Sequence, residues 1–233
     1  MKAIILVGGE ATRLRPLTLQ MPKALIPLQG KPILEHVLEL FKRFDITDIV
    51  LSVGYLKEMI IKHFGDGAAM DLRINFIKED EPLGTAGSLS LLGSKPTSTF
   101  IVCNGDELKD INISAMLEAH RRHGGLATLA LTKVKDPSMY GVARMQEEQI
   151  LEFVEKPKRQ DAPSNLINAG FYVLEPEVLA MIPAGRAMFE YDIFPRLAAE
   201  GKLFGYEFDG QWLDTGTPER LAKAEHEWKG IGI

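Results

Sequence analysis

Apolar residues gather into short unbroken runs near the start of the chain. Ala3-Ile4-Ile5-Leu6-Val7, Asp48-Ile49-Val50-Leu51-Ser52-Val53 and Thr99-Phe100-Ile101-Val102-Cys103 show little alternation of polar and apolar positions. Such runs predict strands buried on both faces, as in a parallel sheet. Arg73–Ile77 adds a further strand. Between the strands, Leu34, Val37, Leu38 and Phe41 recur at helical spacing, which predicts a helix from about Pro32 to about Phe44. A second helix is predicted over Leu56–Phe64, closed by Gly65-Asp66-Gly67. This β-loop-α-β-α-β order predicts a doubly wound sheet. Ile111–His123 reads as a helix with a polar cap at Asn112–Ser114, His120 on its packed side and His123 solvated, followed by a strand over Leu126–Thr132.

The pattern then changes. Tyr140–Met145 and Ile150–Glu155 flank polar Gln146–Gln149 and predict a hairpin, and Asn168–Leu174 is a further strand. Short helices are expected over Glu177–Ile182 and from Tyr191-Asp192 to about Glu200, then a strand over Leu203–Phe208 and a last helix from Thr217-Pro218-Glu219 to about Trp228. The expected fold class is α/β. It is a single Rossmann-like domain with a mainly parallel central sheet flanked by helices, plus a small β subregion.

Candidate chemistry lies at the strand ends. The first run stops at Gly8-Gly9, and Glu10-Ala11-Thr12-Arg13-Leu14-Arg15-Pro16-Leu17-Thr18 follows. Glycines there let the backbone turn sharply and approach a ligand, and exposed amides backed by arginines form an anion-binding concavity. Lys23 sits between Pro22 and Pro27, which restrict where it points. Asn104-Gly105-Asp106 follows another buried strand directly, and open α/β sheets bind ligands outside the carboxyl ends of their strands.

Gly8-Gly9-x-x-Thr12-Arg13-Leu14-x-Pro16-Leu17-Thr18 followed by Pro22-Lys23-x-Leu25 resembles the fingerprint of the sugar-1-phosphate nucleotidyltransferases, or NDP-sugar pyrophosphorylases. The likeness is closest to the mannose-1-phosphate guanylyltransferase branch. The usual family pattern has Gly where this chain has Ala11. Further stretches resemble the family's base-holding loop (Pro82-Leu83-Gly84-Thr85-Ala86-Gly87), strand-end aspartate (Asp106), Tyr-Gly pair, Val-Glu-Lys-Pro, Asn-Ala-Gly and Trp-x-Asp-x-Gly-x-Pro motifs, covering essentially the whole chain.

The resemblance implies the fold of nucleotide-diphospho-sugar transferases, with the β subregion binding sugar. Residues 1–132 would mainly bind nucleotide and 133–233 mainly sugar phosphate, with no C-terminal β-helix. It implies nucleotide contacts from Leu6, Gly8, Gly9, Thr12, Arg13, Glu79, Pro82, Gly84 and Thr85. Sugar-phosphate contacts would come from Gly141, Glu155, Lys156, Asn168 and Gly170. Arg13, Lys23 and Asp106 would be catalytic, and Asp106 and Asp214 would ligate Mg²⁺.

Glu79 stands where thymidylyltransferases carry a Gln. An ionised carboxylate accepts only, which suits the two adjacent donors of guanine better than a thymine edge. The same stretch, Glu79-Asp80-Glu81, also reads as a solvated acidic loop.

The reaction implied is NTP plus sugar 1-phosphate giving NDP-sugar plus pyrophosphate. The substrate brings its own ionised nucleophile, so positioning and charge neutralisation carry the catalysis, and the five histidines need no catalytic pattern. GTP with mannose 1-phosphate or a related hexose or heptose 1-phosphate is the first expectation. UTP or dTTP with glucose or an amino-sugar 1-phosphate is the second, and a non-catalytic, regulatory pyrophosphorylase-like module the third.

Composition narrows the rest. The chain has 233 residues, 45% hydrophobic and 25% charged, which suffices for one large α/β domain. The net charge of −5 and the absence of long basic runs argue against nucleic acid as a partner. Single Cys103 permits no internal disulfide, and no apolar stretch is long enough to span a membrane. A cytoplasmic protein without a membrane partner is expected, with a homodimer left open. No G-x-x-x-x-G-K-[S/T] occurs, which excludes a P-loop kinase.

Overall fold

The computed structural model describes residues 1–232. The first strand, β1 (Lys2–Leu6), leads through short 3₁₀ turns to a ribbon of β2 (Pro27–Leu28) and β3 (Lys31–Pro32), then to α1 (Ile33–Arg43). β4 (Asp48–Val53), α2 (Lys57–Phe64) and β5 (Arg73–Lys78) follow, and α3 (Gly84–Gly87) is a single turn. β6 (Phe100–Asn104) passes almost directly into β7 (Glu107–Lys109), then α4 (Ile113–His123) and β8 (Ala127–Lys133). β9 (Gly141–Gln146) and β10 (Gln149–Glu155) form the hairpin, followed by β11 (Leu166–Leu174), α5 (Phe194–Ala199), β12 (Leu203–Glu207), β13 (Trp212–Asp214) and α6 (Pro218–Glu227).

Local chemistry accounts for the helix boundaries. Pro32 stands at the N-cap of α1, whose buried face includes Leu34, Val37, Leu38 and Phe41. The side chain of Asn112 caps α4 by accepting from Ala115 N at 3.0 Å, and Gly124 closes that helix at φ +66°. Thr217 caps α6, with Pro218 in the first turn.

The chain divides into two compact units. One comprises Met1–Pro82, Val102–Ile111 and Gly210–Ile233; the other comprises Leu83–Ile101 and Asn112–Asp209. The strands of the first unit lie in the order β5-β4-β1-β6, with β4 parallel to both β1 and β5. Sequence order reverses beside β1, which makes the carboxyl ends of β1 and β6 the topological switch point where ligands bind in such sheets. Ile4, Ile5, Ile49 and Leu51 are fully buried there. A second cluster of this unit joins Leu14, Ile26, Leu28, Ile33, Leu108, Leu213, Ala224 and Trp228 beneath the 3₁₀ turns.

In the second unit β11 and β8 run antiparallel, β8 and β12 parallel, and β10 antiparallel to both β12 and β9. Its core includes an aromatic cluster. Phe194 lies 4.9 Å from Tyr172, 5.4 Å from Phe189 and 5.4 Å from Phe153, ring centre to ring centre.

Three expectations change. The helix expected to open at Tyr191 starts instead as a π turn over Phe189–Ile193, which buries Phe189, Glu190 and Ile193 before α5 begins. The segment expected to be helical over Glu177–Ile182 is a 3₁₀ turn, Pro176–Met181. The side chain of His123 is 2% exposed rather than solvated, because Phe204 packs edge-on against it at 4.6 Å. Among the described residues no helix is long and apolar enough to cross a membrane.

Candidate active site

The first unit gathers the phosphate-side candidates around the ends of β1 and β6. Gly105 N–H donates to Leu6 O at 3.0 Å and Tyr55 N–H to Gly8 O at 3.1 Å. The chain passes so close that a Cβ on Gly54 would stand 2.8 Å from Gly8 O, so a side chain there would push the loop out. Gly9 has open space around it, and Thr12 and Arg13 are exposed. Ala11, where the family pattern has glycine, adopts a left-handed conformation (φ +47°, ψ +50°). Its carbonyl accepts from Leu14 N–H at 2.9 Å and Thr18 Oγ1 at 3.1 Å, so a backbone turn that favours glycine is kept with alanine in place.

Lys23 begins a 3₁₀ turn and is 6% exposed, and its Nζ donates to Asp106 Oδ2 at 2.8 Å. Burial pushes the Asp106 carboxyl up, but the Lys23 ammonium, aided by Lys109, outweighs it and holds the carboxyl below the usual carboxylate range. Asp214 reaches the same neighbourhood through a ribbon absent from the sequence-based reading. β13 pairs antiparallel with β7, with Asp214 opposite Glu107, and Thr215 Oγ1 donates to Asp106 O at 2.7 Å. Asp214 Oδ1 accepts from Gly216 N–H at 2.7 Å, and Oδ2 accepts from Arg220. A Cβ on Gly216 would lie 3.1 Å from an Arg13 terminal nitrogen, so Arg13 borders this carboxylate as well.

The donors suit a hard cation. Magnesium takes one or two carboxylates and completes its shell with water and phosphate oxygens. Among the described residues no group of three or more His, Cys, Asp or Glu forms an all-protein cage. Asp106 and Asp214 are two carboxylates of the kind such an ion takes.

Glu79 directly follows β5 and is only partly exposed, whereas Asp80 and Glu81 are exposed. Ser52 Oγ donates to Glu79 Oε1 at 2.9 Å, and a Cβ on Gly8 would lie 3.0 Å from that oxygen. Lys57 Nζ donates to Glu79 O at 3.0 Å and to Asp80 Oδ1 at 2.7 Å, which anchors the start of the loop. Pro82 is exposed beyond it.

The second unit holds the remaining candidates. Gly84 (φ +80°) opens α3 against Ala187, whose carbonyl accepts from Ala86 and Gly87 N–H at 3.0 Å each. Thr85 turns its hydroxyl to Glu190, donating to Oε2 at 2.6 Å, and accepts from Phe189 N–H at 3.0 Å. Gly141 pairs with Glu155 across the β9–β10 hairpin, and a Cβ on Gly141 would stand 2.7 Å from Glu155 Oε2. Lys156 takes φ +47°, donates its N–H to Tyr140 O at 3.0 Å, and lies 3.1 Å from Glu155 Oε1 through Nζ. Asn168 occupies a register break in β11, where its Oδ1 accepts from Gly170 N–H and its Nδ2 donates to Tyr172 OH, both at 2.9 Å. The pairing of Ile167 with Val142 brings that strand beside the hairpin.

Glu190 and Lys109 were missed by the sequence-based reading. Glu190 is 7% exposed, and burial pushes its carboxyl up while Thr85 pulls it down. Lys109 is 3% exposed; its Nζ lies 3.4 Å from Asn104 O and 3.6 Å from Glu107 Oε2, beneath the turn carrying Asp106. Neither has a local sequence signal, since Glu and Lys among polar neighbours read as surface.

A model of the nucleotidyl transferase family matches residues 2–229, and the chain belongs to that family. Among its relatives, mannose-1-phosphate guanyltransferase beta-A of Xenopus laevis is 42% identical over 225 residues, which covers 94% of this chain and 62% of that protein. The chain thus spans about three-fifths of the length of the curated relatives it matches. A Bacillus anthracis protein provisionally named a glucose-1-phosphate thymidylyltransferase, solved with sucrose, superposes with a TM-score of 0.88 at 27% identity, covering 100% of this chain and 97% of that one. HddC from Yersinia pseudotuberculosis, complexed with GMP-PN, gives a TM-score of 0.81 at 27% identity over 98% of this chain and 99% of its own.

Proposed function

We propose that the protein transfers a nucleotidyl group from a nucleoside triphosphate to a sugar 1-phosphate, releasing pyrophosphate, with GTP and mannose 1-phosphate or a related hexose or heptose 1-phosphate as substrates. The observation that carries this reading is the grouping of the Gly8-Gly9 turn, Lys23, Asp106 and Asp214 at the switch point of the first unit.

In this reading the Gly8–Thr12 amides and Arg13 hold the triphosphate and the departing pyrophosphate. Lys23 leaves Asp106 for the α-phosphate. Lys156 holds the sugar phosphate, while Glu155, Gly141, Asn168 and Gly170 meet the sugar. An oxygen of the sugar phosphate forms the new bond to the α-phosphorus as the bond to pyrophosphate breaks, and no side chain has to remove a proton. Asp106 and Asp214 would hold a magnesium ion, which supplies charge neutralisation at the phosphates. Leu6, Pro82, Gly84 and Thr85 shape the nucleotide end, Thr85 through the backbone because its hydroxyl is committed to Glu190.

Glu79 supports guanine, as an acceptor-only group beside Gly8. The guanyltransferase relatives and the GMP-PN-bound neighbour point the same way. The likeness to the Bacillus anthracis protein favours dTTP or UTP with glucose 1-phosphate as the second reading.

The test is pyrophosphate release across GTP, UTP, CTP, ATP and dTTP against mannose, glucose, N-acetylglucosamine and heptose 1-phosphates with Mg²⁺. Release mainly with GTP is expected. Release mainly with UTP or dTTP would keep the chemistry and reject the role given to Glu79, and no release from folded protein would reject the reading.

A further inference from the structure

Both carboxylates given to the cation above are already paired with cations of the protein itself. Lys23 Nζ stands 2.8 Å from Asp106 Oδ2, and Arg220 bonds Asp214 Oδ2 while the Gly216 amide holds Oδ1. The second pair is the more enclosed, with side chains 30% exposed for Arg220 and 12% for Asp214. Arg220 extends from the first turn of α6, which Thr217 and Pro218 fix in place. That helix docks through Leu221 and Ala224, with Trp228 beyond it, so its packing does not depend on the guanidinium.

We propose that Arg220 competes with the divalent cation for Asp214. This rests on the metal role given to Asp214 in the proposed function. Guanidinium stays charged at any working pH, so it has to move for a second cation to use the same oxygen. A triphosphate gives it a reason to move, because phosphate takes arginine in the same two-pronged geometry as carboxylate, and Arg13 already borders Gly216. Without nucleotide, Arg220 neutralises Asp214 and keeps cation affinity low. With nucleotide, Arg220 turns to phosphate and Asp214 opens to the cation. Cation and triphosphate therefore bind with positive linkage, each making the other's site available.

The experiment titrates Mn²⁺ into nucleotide-free protein and reads free Mn²⁺ by electron paramagnetic resonance. The proteins are the natural chain, R220Q, R220K, K223Q and the double variant R220Q/D214N. Lys223 lies on the same helix, 61% exposed, so K223Q removes the same charge away from Asp214. R220Q should bind Mn²⁺ roughly fivefold more tightly than the natural chain, the effect of removing one partly exposed ion pair. K223Q should stay within about twofold, and the gain should vanish in R220Q/D214N and in saturating GTP. Equal or weaker Mn²⁺ binding by R220Q, or an equal gain in K223Q, overturns the proposal. Should R220Q not fold, tighter binding by R220K, whose shorter reach loosens the pair, supports it and unchanged binding overturns it. Pyrophosphate release by the natural chain is read alongside. Release together with unchanged R220Q affinity rejects the competition alone, whereas no release from any substrate pair rejects the underlying reaction.

Discussion

Lys23 and Asp106, 83 positions apart in sequence, meet at 2.8 Å where β6 ends, the lysine buried and the carboxylate 44% exposed. The pair sets a buried positive charge against a group that ligands can still reach. Asp106→Asn should therefore act twice. Turnover should fall by roughly 10²-fold or more, the worth of one electrostatic clamp of about 3 kcal/mol. Stability at pH 7 should fall by about 1 kcal/mol, discounted for the exposed carboxylate. Because the Asp106 carboxyl is depressed in the folded state, its stabilisation is present above the ordinary carboxylate pKa and is lost as pH falls through the lower folded value. The gap between variant and natural chain should accordingly narrow in thermal melts below about pH 4.

Glu79→Gln tests the base. The amide can still accept from Ser52 while offering a donor to the ligand. Relative kcat/KM for GTP over dTTP or UTP should drop at least tenfold, about 1.4 kcal/mol of discrimination. An unchanged ratio would remove the argument for guanine.

Glu190→Gln should stabilise the protein in a pH-dependent way. Burial raises the Glu190 carboxyl in the folded state. Below the unfolded pKa the group is protonated in both states and costs nothing; as pH rises through the folded pKa the buried charge penalises the fold. The amide oxygen still accepts from Thr85. Melting should rise by about 2–4 °C at pH 7, near 1 kcal/mol, and by much less at pH 4.

Ala11→Gly relieves a left-handed alanine at φ +47°. The strain released, about 1–2 kcal/mol, exceeds the extra freedom glycine has when unfolded. Chemical denaturation should show a net gain of about 0.5–1 kcal/mol, and a loss would mean that this turn does not need a positive φ.

Cys103 is fully buried, and burial pushes its thiol up to about 11. A thiol reagent at pH 7 should leave the native protein unlabelled and label one site per chain after unfolding. Fast labelling of native protein would contradict that burial.

The parts of the molecule readable from sequence are those whose cause is local. β1, β4 and β6 are enclosed on both faces, so they appear as apolar runs, and the glycine turn after β1 carries its own punctuation. What stayed hidden depends on distant pairings. β7 and β13 are three residues each, polar in part, and exist because Trp212–Asp214 lies beside Glu107–Lys109. Lys109, Glu190 and the Arg220–Asp214 bond follow from those pairings and from the π turn, so charged residues that read as surface end up wholly or partly enclosed. Asp106 stands out by its position after a buried strand, but its expected role, like those of Asp214, Glu155 and Asn168, comes from resemblance, since a turn rich in Asn, Gly and Asp looks alike with or without a ligand.

The unit that carries the Gly8-Gly9 turn is stitched from three separated stretches, the last being Gly210–Ile233. Trp228 Nε1 reaches His36 Nδ1 at 3.2 Å, and Gln29 Nε2 reaches Trp228 O at 2.7 Å. During synthesis Gln29 and His36 emerge well before their shared partner Trp228, which is translated 199 residues after Gln29. At roughly 5–20 residues per second, the nascent N-terminal strands wait on the order of ten seconds or more with an unfinished core. That delay leaves Leu28 and Ile33, which share a cluster with Trp228, uncovered until Trp228 has been made, so Trp228→Ala should lower the yield of folded chain more than a change at an exposed position.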